Sequence, residues 1–178
     1  MKYLTLIMLF MLIGCFSNSI DETLAASSDD PGCEVSYVED NSAQASLENK
    51  WVFVGFRSAI GQLENPPCNS ETVLYLEPLP DPNQPSRNFY HFGFHTGVNG
   101  CGSLSEVLDD STISTSDAIC TLIGSNQADL EQHEKRFIAA VHRKNLIYHI
   151  RGNVLELTYH HAGDQLIFYT DHNWKEGI

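Results

Sequence analysis

The chain is short of positive charge: ten Lys and Arg stand against 23 Asp and Glu in 178 residues, a formal net charge of −13. Binding phosphates needs clustered cations. The basic pairs here, Lys135-Arg136 and Arg143-Lys144, lie among acids on an expected helix, which argues against nucleic acid as a partner. The acidity reads instead as solubility beside an anionic membrane surface. No apolar run reaches the roughly 20 residues that span a bilayer. C-x₂₋₄-C spacing is missing, which argues against structural zinc, and there is no G-x-S-x-G elbow to advertise a serine hydrolase. Gly102-Ser103 and Gly124-Ser125 are isolated pairs read as loop residues, and no repeat of solenoid period occurs.

What is present begins at the N-terminus. Lys2 precedes an eleven-residue, mostly apolar run, Tyr3 to Ile13, ending in Leu12-Ile13-Gly14-Cys15. This resembles a bacterial lipoprotein signal peptide, with a one-charge n-region, a short h-region and a small residue before the cysteine. The resemblance implies that residues 1–14 are removed and that Cys15 is lipidated, its acyl chains holding the protein on a membrane far better than a single one. Phe16 after that cysteine is compatible with transfer to an outer membrane, facing the periplasm or the cell surface.

Removing 14 residues leaves 164, a length that normally forms one domain. Four cysteines remain, Cys33, Cys68, Cys101 and Cys120, and an even number in an exported chain predicts two disulfides. Three connectivities are possible. Cys33 with Cys68 and Cys101 with Cys120 is preferred, because each pair closes a short loop around predicted strands.

Residues 15–46 hold few large apolar groups and read as a tether, which a disulfide at Cys33 would shorten to about residues 16–31. Beyond them, β-branched and aromatic runs predict strands at Trp51–Phe56, Thr72–Glu77 and Phe89–Thr96, the last with Tyr90, Phe92 and Phe94 on one face and His91, Gly93 and His95 on the other. The series Pro78, Pro80, Pro82 and Pro85 stops the second strand in an exposed loop. Asn99-Gly100-Cys101-Gly102 predicts a turn, and Val107–Thr115 returns through another at Asp109-Asp110. From Gln127 to about Lys144 the period changes, with Leu130, Glu134, Phe137, Ala140 and Val141 recurring at helical spacing. Strands then follow at Leu146–Ile150, Val154–Tyr159 and Leu166–Tyr169. The expected fold is α+β, predominantly antiparallel β, a curled sheet or small barrel with one packed helix.

Several marks resemble the META domain, the HslJ-like family of bacterial envelope proteins: Leu47-Glu48-Asn49-Lys50-Trp51 before a strand, the Asn99-Gly100-Cys101 turn, Glu134–Ala140 on the helix, and the closing run Leu146–Leu157. The resemblance spans about residues 47–170. It implies a compact antiparallel β domain with one helix, found on lipoproteins or exported proteins, and it carries over no catalytic residue and no cofactor. The expected layout is a signal peptide at 1–14, lipidated Cys15 and tether at 15–46, the META-like domain at 47–172 and a tail at 173–178. The proline-rich loop around 78–85 looks like an insertion.

The candidate chemistry is sparse. His91 and His95 would sit about 13 Å apart along a strand, too far to share a zinc ion bound at about 2 Å. His160 and His161 point to opposite faces of a strand unless a turn unites them; with His172 they are the candidates for a metal-binding alternative. A cysteine hydrolase would need Cys101 or Cys120 as a thiolate beside His91, His95 or His142, where oxidation to cystine competes. The acidic pairs Asp21-Glu22, Asp29-Asp30 and Asp109-Asp110 suit solvation or loose calcium contact. Trp51, Phe53, Tyr90, Phe92 and Phe94 read as core, and Trp174 as a clamp or an exposed contact. The favoured function is a non-catalytic binding module anchored to the envelope, meeting another envelope protein or a cell-wall component. An envelope hydrolase with an unrecognised site is the alternative from another class.

Overall fold

Alternating β-branched and aromatic residues fit a pleated, half-buried surface, and eight such runs here pair antiparallel around a closed barrel. The computed structural model describes residues 37–80, 83, 87–108, 111–159 and 162–170. Its strands are β1 (Lys50–Arg57), β2 (Leu63–Glu64), β3 (Thr72–Pro78), β4 (Asn88–Thr96), β5 (Gly100–Val107), β6 (Thr112–Thr115), β7 (Ile119–Cys120), β8 (Asn145–Arg151), β9 (Val154–Thr158) and β10 (Gln165–Tyr169), with helix α1 (Ala128–Val141) between β7 and β8. The order around the wall is β10-β9-β8-β6-β5-β4-β3-β1, and β1 pairs again with β10 to close it. β2 adds to β1, and β7 to β5. Closure leaves the eight wall strands without a free edge.

Period-two alternation decides what fills the interior. Trp51, Phe53, Leu74, Leu76, Phe92, Phe94, Leu155, Leu157, Leu166 and Phe168 are buried in one cluster with Phe137 of the helix. The Trp51 indole nitrogen donates to the Leu47 carbonyl at 3.0 Å, satisfying its one polar atom. Phe137 meets Phe53 at 5.2 Å and Phe94 at 5.5 Å between ring centroids, so α1 plugs the barrel mouth with an aromatic side chain. The helix starts without a side-chain cap, but Asp129 and Glu131 in its first turn face the positive end of its dipole. Among the described residues, no helix is long and apolar enough to cross a membrane.

The opposite mouth is crossed by residues 37–47. Asn153, in the β8–β9 turn, donates its backbone N–H to the Asp40 carbonyl and its Nδ2 to the Val38 carbonyl at 2.9 Å, while its Oδ1 accepts from the Asp40 N–H at 2.9 Å. Ala45 N–H donates to the Gly152 carbonyl at 2.7 Å. Gly152 has φ +54°, and a Cβ there would lie 2.1 Å from the Asp40 carbonyl oxygen, so only glycine lets the segment lie down. Tyr37 stacks on Tyr169 at 5.8 Å over a small outer cluster of Val54, Val154 and Ile167. The expected tether therefore ends, within the described residues, as a strap held on the barrel. The turn expected at Asn99–Gly102 also moves: the chain reverses at Gly97, φ +83°, and Cys101 and Gly102 lie inside β5.

Candidate functional site

The helix-bearing mouth gathers the ionisable groups. His133 and Glu134 follow one another on the inward face of α1, each at least nine-tenths buried. His133 Nε2 shares a 2.9 Å hydrogen bond with the Thr72 hydroxyl, and its ring packs beside Phe53 and Phe56. Burial, and then the nearby Arg136 charge, push its pKa from 6.5 down to about 4, against the opposing pull of Glu134 and Glu64. Glu134 accepts from the Thr96 hydroxyl at 2.5 Å and from Asn99 Nδ2 at 3.0 Å. Asn99 Oδ1 in turn accepts from the Thr121 hydroxyl at 2.9 Å and the Ile123 N–H at 2.7 Å. This chain ties helix, β4–β5 turn and the segment after β7 together, with Glu134 and Asn99 buried at its centre.

A cleft of about 690 Å³ opens beside the helix, between the β1–β2 loop and the β9–β10 hairpin. Phe56, Arg57, Gln62, Arg136, Tyr159 and Asp164 are among its walls. The Arg136 guanidinium lies over the Phe56 ring at 3.8 Å and pairs with Glu64 at 2.5 Å. Arg57 Nη1 donates to Glu156 at 2.8 Å and to Gln165 at 3.3 Å, and Arg151 reaches the same Glu156 oxygen at 3.1 Å. Burial pushes the Glu156 carboxyl up, but its two arginines outweigh that and hold it below the usual carboxylate range. The Tyr159 phenol is raised, first by burial and then by the Asp164 charge, with Arg136 opposing, so it is a neutral hydroxyl at neutral pH.

The residues singled out by sequence fall mostly elsewhere. Cys101 and Cys120 are joined in a disulfide across the β5–β7 pair. Cys68 is also disulfide-bonded, to a cysteine outside the described residues. His91 and His95 stand on the outer wall: His91 lies 3.8 Å from Glu77 and its ring covers Gly102, whereas His95 Nδ1 accepts from the Gly97 N–H, so the two do not converge. Ser103 faces the interior, and the Ser125 hydroxyl accepts from the Gln127 N–H. Among the described residues, no group of three or more His, Cys, Asp or Glu is placed to hold a metal ion. Cys15, Cys33, Asp109, Asp110, His160, His161, His172 and Trp174 lie outside the described residues.

The segment after β6 has another property that composition hides. Ile119 is 85% exposed and Leu122 97%, held outward on a stretch pinned by the disulfide and by Asn99.

The chain matches no family model and no curated protein. Its fold has a relative among solved structures. A protein from Burkholderia xenovorans, determined by NMR, is similar over 76% of this chain and 97% of its own, with a TM-score of 0.50 and 17% identity. At that identity the likeness is one of fold.

Proposed function

We propose that this chain is a lipid-anchored cell-envelope protein whose barrel is a non-catalytic binding module, with the cleft at the helix end as its recognition surface. The pairing of the cleft's charges carries the reading: Arg57 is engaged by Glu156 and Arg136 by Glu64, an arrangement suited to holding a polar ligand rather than to proton transfer. The interior supports it too, since aromatic and aliphatic side chains fill the barrel and leave recognition to its outside. Cys101 and Cys120, as cystine, offer no thiolate for a hydrolase.

The run ending at Cys15 supports the anchor, and the META-like marks agree with an antiparallel barrel carrying one helix. Such a protein works by tethering: anchoring raises the module's effective concentration at partners in the envelope, another envelope protein or a cell-wall component. Fractionating cells that express the full chain tests the anchor. The natural chain is expected in the membrane fraction and Cys15→Ser in the soluble one; equal partition refutes the anchor. A turnover assay on envelope material whose rate falls with Arg136→Glu would refute the non-catalytic reading.

A further inference from the structure

The cleft presents both signs of charge around one neutral phenol. Arg136 stands over Phe56, and the Asp164 Oδ1 accepts from the Ala59 N–H at 3.1 Å on the hairpin opposite. Both charges act on Tyr159, in opposite directions. The two arginines differ in how firmly they are held. Arg57 binds a Glu156 side chain only 11% exposed, reinforced by Arg151, and removing it would leave that carboxylate short of a partner. Arg136 pairs with a Glu64 side chain 66% exposed, carried on the two-residue strand β2. So exposed a pair contributes at most about 1 kcal/mol, and a carboxylate arriving with fork-to-fork geometry replaces it readily. The volume, about 690 Å³, suits a ligand of several residues rather than a single ion.

We infer that the cleft binds short peptides with free termini: the carboxylate at Arg136 in place of Glu64, the ammonium at Asp164, and the apolar side chains between them against the exposed Leu63. This deepens the reading of the cleft as the recognition surface and rests on it.

Tri-alanine in four forms tests the inference: uncapped, N-acetylated, C-amidated and capped at both ends. Each is titrated into the ¹⁵N-labelled full chain while the amides of Ser58, Gln62 and Leu63 are followed. The uncapped peptide is expected to bind tightest, with each cap weakening it about threefold to tenfold. Arg136→Gln removes the penalty for amidation and Asp164→Asn that for acetylation. Glu64→Gln, which frees Arg136, tightens the uncapped peptide about threefold, an effect no loss of structure produces. Should a variant fail to fold, the capped series on the natural chain still decides. Saturable shifts indifferent to capping overturn the inference and leave the cleft a binding surface. No saturable shift with any form overturns the inference as well.

Discussion

Acid should loosen this protein through one buried imidazole. His133 is 6% exposed, and the folded chain withholds a proton from it until about pH 4, whereas the unfolded chain takes one up near 6.5. Protons therefore favour the unfolded state, so the contribution is whole above pH 6.5 and is lost as pH falls toward 4. At about 1.4 kcal/mol per tenfold difference in proton affinity, the full loss approaches about 3 kcal/mol, and between pH 7 and pH 5 it comes to about 2 kcal/mol. His133→Gln keeps a hydrogen-bonding group toward Thr72 and cannot titrate. Urea unfolding of both proteins at pH 7 and pH 5 is the assay. The natural chain is expected to lose about 2 kcal/mol more than the variant over that interval. Equal losses, or an NMR titration of His133 with a midpoint near 6.5, would refute the reasoning.

Three further outcomes follow from packing. Gly152→Ala is expected to cost about 2–4 kcal/mol by forcing the strap off the β8–β9 turn, while Gly102→Ala costs under about 1 kcal/mol because the exposed His91 ring can swing away from a Cβ 2.7 Å from its Nε2; thermal melts that rank them the other way would be inconsistent with the geometry. The Ser105 hydroxyl is buried with no partner, so Ser105→Ala should leave stability unchanged or raise it by about 1 kcal/mol, and a clear loss would show that the hydroxyl is satisfied after all. Replacing both Cys101 and Cys120 by alanine releases a loop spanning 19 positions and should cost about 3 kcal/mol by loop-closure entropy; alkylation of Cys101 and Cys120 without prior reduction would show the bond is absent.

Sequence carried the wall of the barrel well, for local reasons. Tyr90, Phe92 and Phe94 alternate with His91, Gly93 and His95, and the structure places the first set inward and leaves His91 and His95 exposed. Leu130, Phe137, Ala140 and Val141 mark the helix face directly, and Glu134 among them was a charge at a buried phase. Two-residue strands such as Leu63–Glu64 and Ile119–Cys120 are too short for any period to show. Closure of β1 on β10 joins positions more than a hundred residues apart, among them Arg57 and Gln165, whose side chains also meet. The cleft was invisible for the same reason: Arg57, Arg136, Tyr159 and Asp164 come from separate elements and share no motif. Asn99 reads as an ordinary turn residue because its buried partner, Glu134, lies 35 positions away.

The strap has a mechanical consequence. Residues 37–47 cross the mouth opposite the helix, at the start of β1, whereas the cleft lies past its other end, about 25 Å along an eight-residue strand. Tension applied to the chain ahead of Tyr37 is thus borne first by the Cys68 disulfide, because the cysteine it joins precedes Tyr37. That bond acts as a strain relief. Drag on the N-terminal side is passed to the β2–β3 loop, and the strap keeps its hydrogen bonds to Asn153 and Gly152 and its stack on Tyr169.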